Sequence, residues 1–218
     1  MKQAPFHSIN TPLILTRIVI TLLILLLTAC SAFKSKTFPS INNDPALKYN
    51  WQQQQTKLKE INHWQISGKI SIRTPDDSVT AAINKWTQKE DDFTINLSST
   101  FFGLGATRLV GNDQHLTIFK SDEKPLSSNQ PDLLISQALG FSLPVSFLPY
   151  WIKALPTPQE FFKTQFYTNG LPKTLFQGDW KLEFSKYLLK NELPLPGKIK
   201  LQHNDTRIIL VIKKWTLL

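Results

Sequence analysis

The run Trp64–Arg73 reads WQISGKISIR, and its period decides the fold. Trp64, Ile66, Ile70 and Ile72 fall on one face; Gln65, Ser67, Lys69, Ser71 and Arg73 fall on the other. A period of two with one apolar face marks an antiparallel strand that is buried on one side and wet on the other. The same alternation recurs downstream. Phe93, Ile95 and Leu97 oppose Thr94, Asn96 and Ser98, while residues 79–88 continue as a strand whose alternation blurs around Asn84 and Lys85. Arg108–Val110 and Leu116–Phe119 make further short strands. Nearer the C-terminus, Trp180, Leu182 and Phe184 share a face, as do Ile199 and Leu201. The segment RIILVIKKW at 207–215 is apolar on both faces and is expected to be covered from both sides.

Upstream the period changes. Residues 44–62, DPALKYNWQQQQTKLKEIN, suit a helix with Asp44 as N-cap and Pro45 at the first helical position. Two short apolar helices interrupt the strands. One follows Asp132 and stops at Gly140; the other carries Phe147, Leu148, Trp151, Ile152 and Leu155 at helical spacing and ends before Pro156. No Gly/Ser linker divides the strands, so residues 44–218 are expected to form a single α+β domain, mostly β. One sheet with one apolar face needs cover, and these helices supply it. Between sheet and helices lies either a solid core or an apolar pocket.

The chain has 218 residues, a net charge of +9 and a single cysteine. Lys2 and Arg17 precede an apolar run, IVITLLILLLTAC, that is short for a membrane span and ends at small residues before Cys30. Leu27-Thr28-Ala29-Cys30 resembles the lipobox of bacterial lipoproteins, which implies cleavage after residue 29 and acylation of Cys30. Residues 1–29 then form a signal peptide. Residues 30–43 form the acylated cysteine and a polar tether reaching on the order of 20 Å. Loss of Lys2 and Arg17, with no acid, lowers the charge from +9 to +7. Outside the cytoplasm that balance fits anionic lipid heads or an acidic protein rather than nucleic acid; a solvated surface with surplus lysine fits it equally.

Motifs for chemistry are scarce. His7, His63, His115 and His203 are isolated, no HExxH or His/Cys cluster exists, and no GxSxG elbow marks a hydrolase. Asp76-Asp77 and Glu90-Asp91-Asp92 fall at turns. One turn is unusual: Ser99–Thr107, STFFGLGAT, carries Phe101, Phe102 and Leu104 where a hairpin tip is ordinarily polar. These side chains either fold under the sheet edge or protrude as an apolar tip, which marks contact with a membrane or partner.

Taken in order, the lipobox followed by Ser31, WQISGKISIR after a polar helix, LGATRL at Leu104–Leu109, and LPVSFLPYWIKALP at Leu143–Pro156 resemble the LolB family of outer-membrane lipoprotein receptors. Two departures are Ala154, where the family pattern has Gly, and the phenylalanine pair before Leu104, where it has something closer to Asn-Pro. The resemblance implies an incomplete, strongly curved antiparallel β-barrel with helices as a lid over an apolar cavity. It implies a non-enzymatic protein, lipid-anchored at the outer membrane through Cys30 and facing the periplasm. It implies a monomer without cofactor or metal that receives acylated lipoproteins from the soluble carrier LolA and inserts them into the bilayer, with Phe101, Phe102 and Leu104 in the membrane-insertion loop. Strand parity and the helical stripe nominate the acyl-chain cavity: Ile66, Ile70, Phe93, Ile95, Leu97, Leu109, Phe147, Leu148, Trp151, Ile152, Trp180, Leu182 and Phe184. The alternatives are a structural or sensory envelope lipoprotein with a solid core and no lipid cargo, and an envelope hydrolase, which would need a buried Ser–His pair.

Overall fold

Alternation of buried and exposed residues builds a single antiparallel sheet, and breaks in that alternation bend it. The computed structural model describes residues 41, 44, 46–98, 106–121, 123–158 and 160–218, all within the compact unit Pro39–Leu218. In chain order come helix α1 (Trp51–Lys59) and strands β1 (His63–Arg73), β2 (Ser78–Lys89), β3 (Asp92–Ser98), β4 (Thr107–Gly111), β5 (Leu116–Lys120) and β6 (Leu126–Ser128). Helix α2 (Pro131–Leu139) follows, then a 3-10 turn (Val145–Phe147) that runs into the one-turn helix α3 (Leu148–Trp151). Strands β7 (Phe162–Phe166), β8 (Pro172–Gln177), β9 (Trp180–Ser185), β10 (Leu188–Lys190), β11 (Leu193–Leu195), β12 (Lys198–His203) and β13 (Thr206–Leu217) complete the chain.

Among the described residues eleven strands form one sheet in the order β6-β5-β4-β3-β2-β1-β13-β12-β9-β8-β7, and β10 and β11 form a separate hairpin. β1 is central because its C-terminal partner β13 returns beside it. The sheet is strongly curved and not closed. Its curvature has a visible cause. Between the pairs Ile66–Trp86 and Gly68–Ile83, β2 carries one residue more than β1, and β13 carries one more between Ser67–Lys214 and Gly68–Ile212. β2 also gains a residue on β3 at Asn84. At each bulge two exposed residues stand side by side, Asn84-Lys85 and Lys213-Lys214, flanked by buried apolar ones. Bulges bend and twist the strand that holds them, so three adjacent strands turn along one line. Gly68 lies on that line, and a Cβ there would run into the Val211 carbonyl oxygen.

The structure corrects three local expectations. The N-terminal helix starts at Trp51, capped by Asn50, whose Oδ1 accepts from Gln53 N at 3.2 Å. Asp44 caps only a turn of its own, accepting from Ala46 N at 2.9 Å, because Tyr49 N donates to Asn169 O and holds the intervening residues in place. Asp132 is not the cap of α2, which begins at Pro131; its Oδ1 accepts from Val145 N at 2.8 Å and ties α2 to the next segment. Gly140, at φ 75°, ends α2 as expected. β13 is buried on one face only: Ile208, Leu210, Ile212 and Trp215 point inward, while Ile209 and Val211 are half-buried on the other side.

The concave face is packed in one part and looser in another. Leu58, Trp64, Ile66, Leu155, Leu171, Leu175, Leu182, Phe184, Tyr187 and Leu195 are all almost fully buried and form a solid region over β1, β8 and β9. Trp64 sits between Trp86 and Trp215, each ring 5.5 Å away. Towards β2–β5 and α2 the same face also carries half-buried side chains, Ile70 and Leu109 among them.

Candidate functional site

Where packing loosens, an apolar void of about 120 Å³ lies between sheet and helices. The strands contribute Ile70, Ile72, Ile83, Trp86, Phe93, Ile95, Leu97, Leu109, Leu116, Ile118, Ile199, Leu201, Ile208 and Leu210. The cover contributes Ile135 and Ala138 of α2, then Phe141, Leu143, Val145, Leu148, Trp151 and Ile152. Apart from the indole N–H groups of Trp86 and Trp151, only Thr107 and Lys120 add polar side-chain atoms to this lining. They are cross-strand partners at one end of the void; Thr107 Oγ1 is buried without a hydrogen-bond partner, and Lys120 Nζ faces Glu123 Oε2 at 3.5 Å.

Of the nominated residues, Ile70, Phe93, Ile95, Leu97, Leu109, Leu148, Trp151 and Ile152 line the void. Ile66, Trp180, Leu182 and Phe184 share the face but sit in the packed region, and Phe147 lies over a neighbouring cleft. Phe101, Phe102, Leu104 and Cys30 lie outside the described residues. Ile41, inside the stretch expected to be a tether, is held by the domain: its carbonyl accepts from Asn169 Nδ2 at 2.7 Å.

The cover is fastened at identifiable points. Gln177 on β8 is buried, and its Oε1 accepts from Trp151 Nε1 at 2.9 Å and from Thr157 N at 3.0 Å, while its Nε2 donates to Thr157 O at 3.0 Å. Trp151 also packs on Trp180 at 5.6 Å, and Trp180 stacks on His203. Ala154 N donates to Trp151 O and Leu155 N to Tyr150 O, the paired bonds of a helix C-cap that places Ala154 in the left-handed region, at φ 60°. This is the position where glycine is the unstrained choice.

A second, larger cleft of about 410 Å³ adjoins the void, sharing Phe93 and Val145 with it. It runs past the end of α1, the β2–β3 turn and the segment after α3, with Trp64, Gln88, Lys153 and Thr157 in its wall. Lys153 is only 6% exposed; its Nζ donates to Ile61 O at 2.7 Å, and burial pushes its pKa down to about 8. Trp64 was legible by parity, but Gln88, Lys153 and Thr157 were not, because each is an ordinary polar residue in sequence and only distant partners bury it. Trp86 was hidden by the bulge at Asn84 that breaks the parity of β2. Ile118, Ile199, Leu201, Ile208 and Leu210 were legible by parity from strands already recognised.

The His115 ring nitrogens face Asn129 Oδ1 and Thr117 Oγ1, and among the described residues no group of three His, Cys, Asp or Glu side chains could hold a metal ion.

The chain is similar to known proteins. A family model described as outer membrane lipoprotein LolB matches residues 62–215. A protein of Nitrosococcus oceani named outer-membrane lipoprotein LolB is 34% identical over 200 residues, covering 91% of this chain and 96% of its own. One of Marinobacter nauticus with the same name is 30% identical over 193 residues, covering 87% and 91%. Among solved structures, a LolA superfamily protein of Nitrosomonas europaea superposes with a TM-score of 0.50 at 12% identity, over 77% of this chain and 93% of that one, a likeness of fold.

Proposed function

Because the chain belongs to the LolB family of outer-membrane lipoproteins, we propose that it is the outer-membrane receptor of lipoprotein localisation, taking acylated lipoproteins from a periplasmic carrier of the LolA kind and delivering them to the bilayer. The observation that carries this reading is the apolar void under the helical cover. Each buried methylene is worth about 0.8 kcal/mol, so lipoprotein acyl chains crossing water unprotected would cost tens of kcal/mol. A cavity lined almost wholly by hydrocarbon removes that cost.

In its present form the void is small. An engineered cavity of about 150 Å³ takes up a single benzene ring, and 120 Å³ is less than that. A long acyl chain therefore requires α2 and α3 to move away from β2–β5. Two features allow this: α3 is a single turn, and the chain from Gly140 to Pro144 is irregular. Transfer without an energy source runs downhill, so the opened cavity must hold acyl chains better than the carrier does and less well than the bilayer.

In this reading Cys30 carries the lipid anchor, and Phe101, Phe102 and Leu104 touch the bilayer as cargo leaves. Leu104→Glu tests the division of labour, with uptake from the carrier and insertion into membranes measured separately. Intact uptake with impaired insertion is expected; equal loss of both would make the loop a docking or folding element instead. Displacement of a fluorescent fatty-acid analogue from the purified protein tests the cavity itself, and a protein that binds none contradicts the receptor reading.

A further inference from the structure

The cleft beside the apolar void is the more polar of the two, and its wall holds three of the six buried, unpartnered side-chain atoms found among the described residues. Trp64, Gln88 and Thr157 are at most 4% exposed, and Trp64 Nε1, Gln88 Oε1 and Thr157 Oγ1 are all buried without partners. Lys153 spends one of its three donors on Ile61 O. Burying such a group unpaired is costly unless something pairs it. In the present form the Trp64, Gln88 and Thr157 atoms are shut off from solvent, so a ligand meets them only once the cover moves; exposed in that way, Trp64 and Lys153 supply donors, Gln88 an acceptor, and Thr157 a hydroxyl that serves as either. That mixture matches an amide, whose carbonyl accepts and whose N–H donates, and ester carbonyls, which accept. The charges at the cleft oppose a phosphate: Glu90, Asp91, Asp113 and Glu160 line it against Lys59 and Lys153.

We propose that this cleft binds the amide- and ester-bearing junction that joins acyl chains to a peptide, while the chains run past Phe93 and Val145 into the apolar void. The assignment rests on the reading of that void as an acyl-chain site and adds the part of the cargo it recognises. It gives the protein a means of telling a lipidated peptide from a fatty acid or a phospholipid with identical chains.

The test is competition against a fluorescent fatty-acid analogue, using the full-length protein in one fixed concentration of nonionic detergent. The competitors are a synthetic palmitoylated cysteinyl lipopeptide, free palmitate and dipalmitoyl phosphatidylglycerol. Wild type is expected to favour the lipopeptide over both others by about tenfold or more, equivalent to about 1.4 kcal/mol. Lys153→Met and the isosteric Thr157→Val are each expected to lower that preference by about threefold or more. Thr157→Val removes an atom that pairs with nothing in the free protein, so it keeps the test valid if Lys153→Met folds poorly. Preferences unchanged in both variants would overturn the assignment, as would phosphatidylglycerol competing as well as the lipopeptide. A preference that falls with Thr107→Val instead would place the junction at the opposite end of the void and overturn it too. A wild type that does not bind the analogue at all refutes the acyl-chain site, and this assignment with it.

Discussion

Filling the void should make the protein more stable and less able to hold lipid. Ala138 on α2 lines the cavity and is half-buried, so Ala138→Leu would carry three further carbons into it. Three buried carbons are worth about 2.4 kcal/mol at about 0.8 each, and fixing the leucine rotamer returns about 0.5–1 kcal/mol. Leucine and alanine differ little in helix propensity, so the net gain should be about 1.5 kcal/mol. For a domain of this size that raises Tm by about 3–6 °C. Thermal unfolding checks the first half of the expectation, and displacement of a fluorescent fatty-acid analogue checks the second, where affinity should fall about tenfold or more. A destabilisation of 1 kcal/mol or more would mean that the space does not exist. A stabilised variant with unchanged affinity would mean that lipid binds somewhere else.

Four other outcomes follow from the structure. Gly68→Ala forces a Cβ against the Val211 carbonyl at the bend line and should cost about 2–4 kcal/mol in denaturant unfolding; a loss under 0.5 kcal/mol would refute the close approach. Gln177→Leu strips partners from Trp151 Nε1 and Thr157 N. It should cost about 2–4 kcal/mol and speed hydrogen exchange across 151–157 more than across β1. Ala154→Gly relieves a left-handed alanine at φ 60° and should add about 0.5–1 kcal/mol of stability, since the strain of about 1–2 kcal/mol exceeds the entropic cost of glycine; destabilisation would contradict the C-cap geometry. Burial lowers the Lys153 pKa from 10.5 to about 8. Between those values the unfolded chain binds a proton the folded chain has lost, so stability rises with pH across that window and the penalty is present in full below it. Relative to Lys153→Met, wild type should gain up to about 3 kcal/mol between pH 8 and 10.5; a flat difference would refute the desolvated ammonium.

Much of the fold was legible because its signals are local. Strand parity located β1, β3, β9 and β12, and glycine stopped α2 at residue 140. What escaped depended on distant partners. The N-terminal helix begins late because Tyr49 is held by Asn169, a contact that no local pattern encodes. The bulges that curve the sheet appeared in the sequence only as blurred alternation at Asn84 and Lys85, although the apolar-Asn-Lys-apolar and apolar-Lys-Lys-apolar patterns of β2 and β13 are their signature. Parity also named the concave face without dividing it. Ile66, Leu182 and Phe184 are indistinguishable in pattern from Ile95 and Leu97, yet they are buried away from the void that Ile95 and Leu97 line. Vacancy is a property of what faces a residue, which sequence alone does not supply. The departure at Ala154 is now physical: a position favouring glycine is held by alanine in a glycine conformation.

The most direct measurement is photo-crosslinking with a lipopeptide whose acyl chains carry diazirines, followed by peptide mapping of the adducts. Adducts on Ile95, Leu97, Leu109, Ile118, Ile135 and Leu148–Ile152, lost on competition with unlabelled lipopeptide, are the expected result. Adducts confined to the outward face of the sheet, at Lys69, Ser71 and Lys85, would show that the helical cover never opens to lipid.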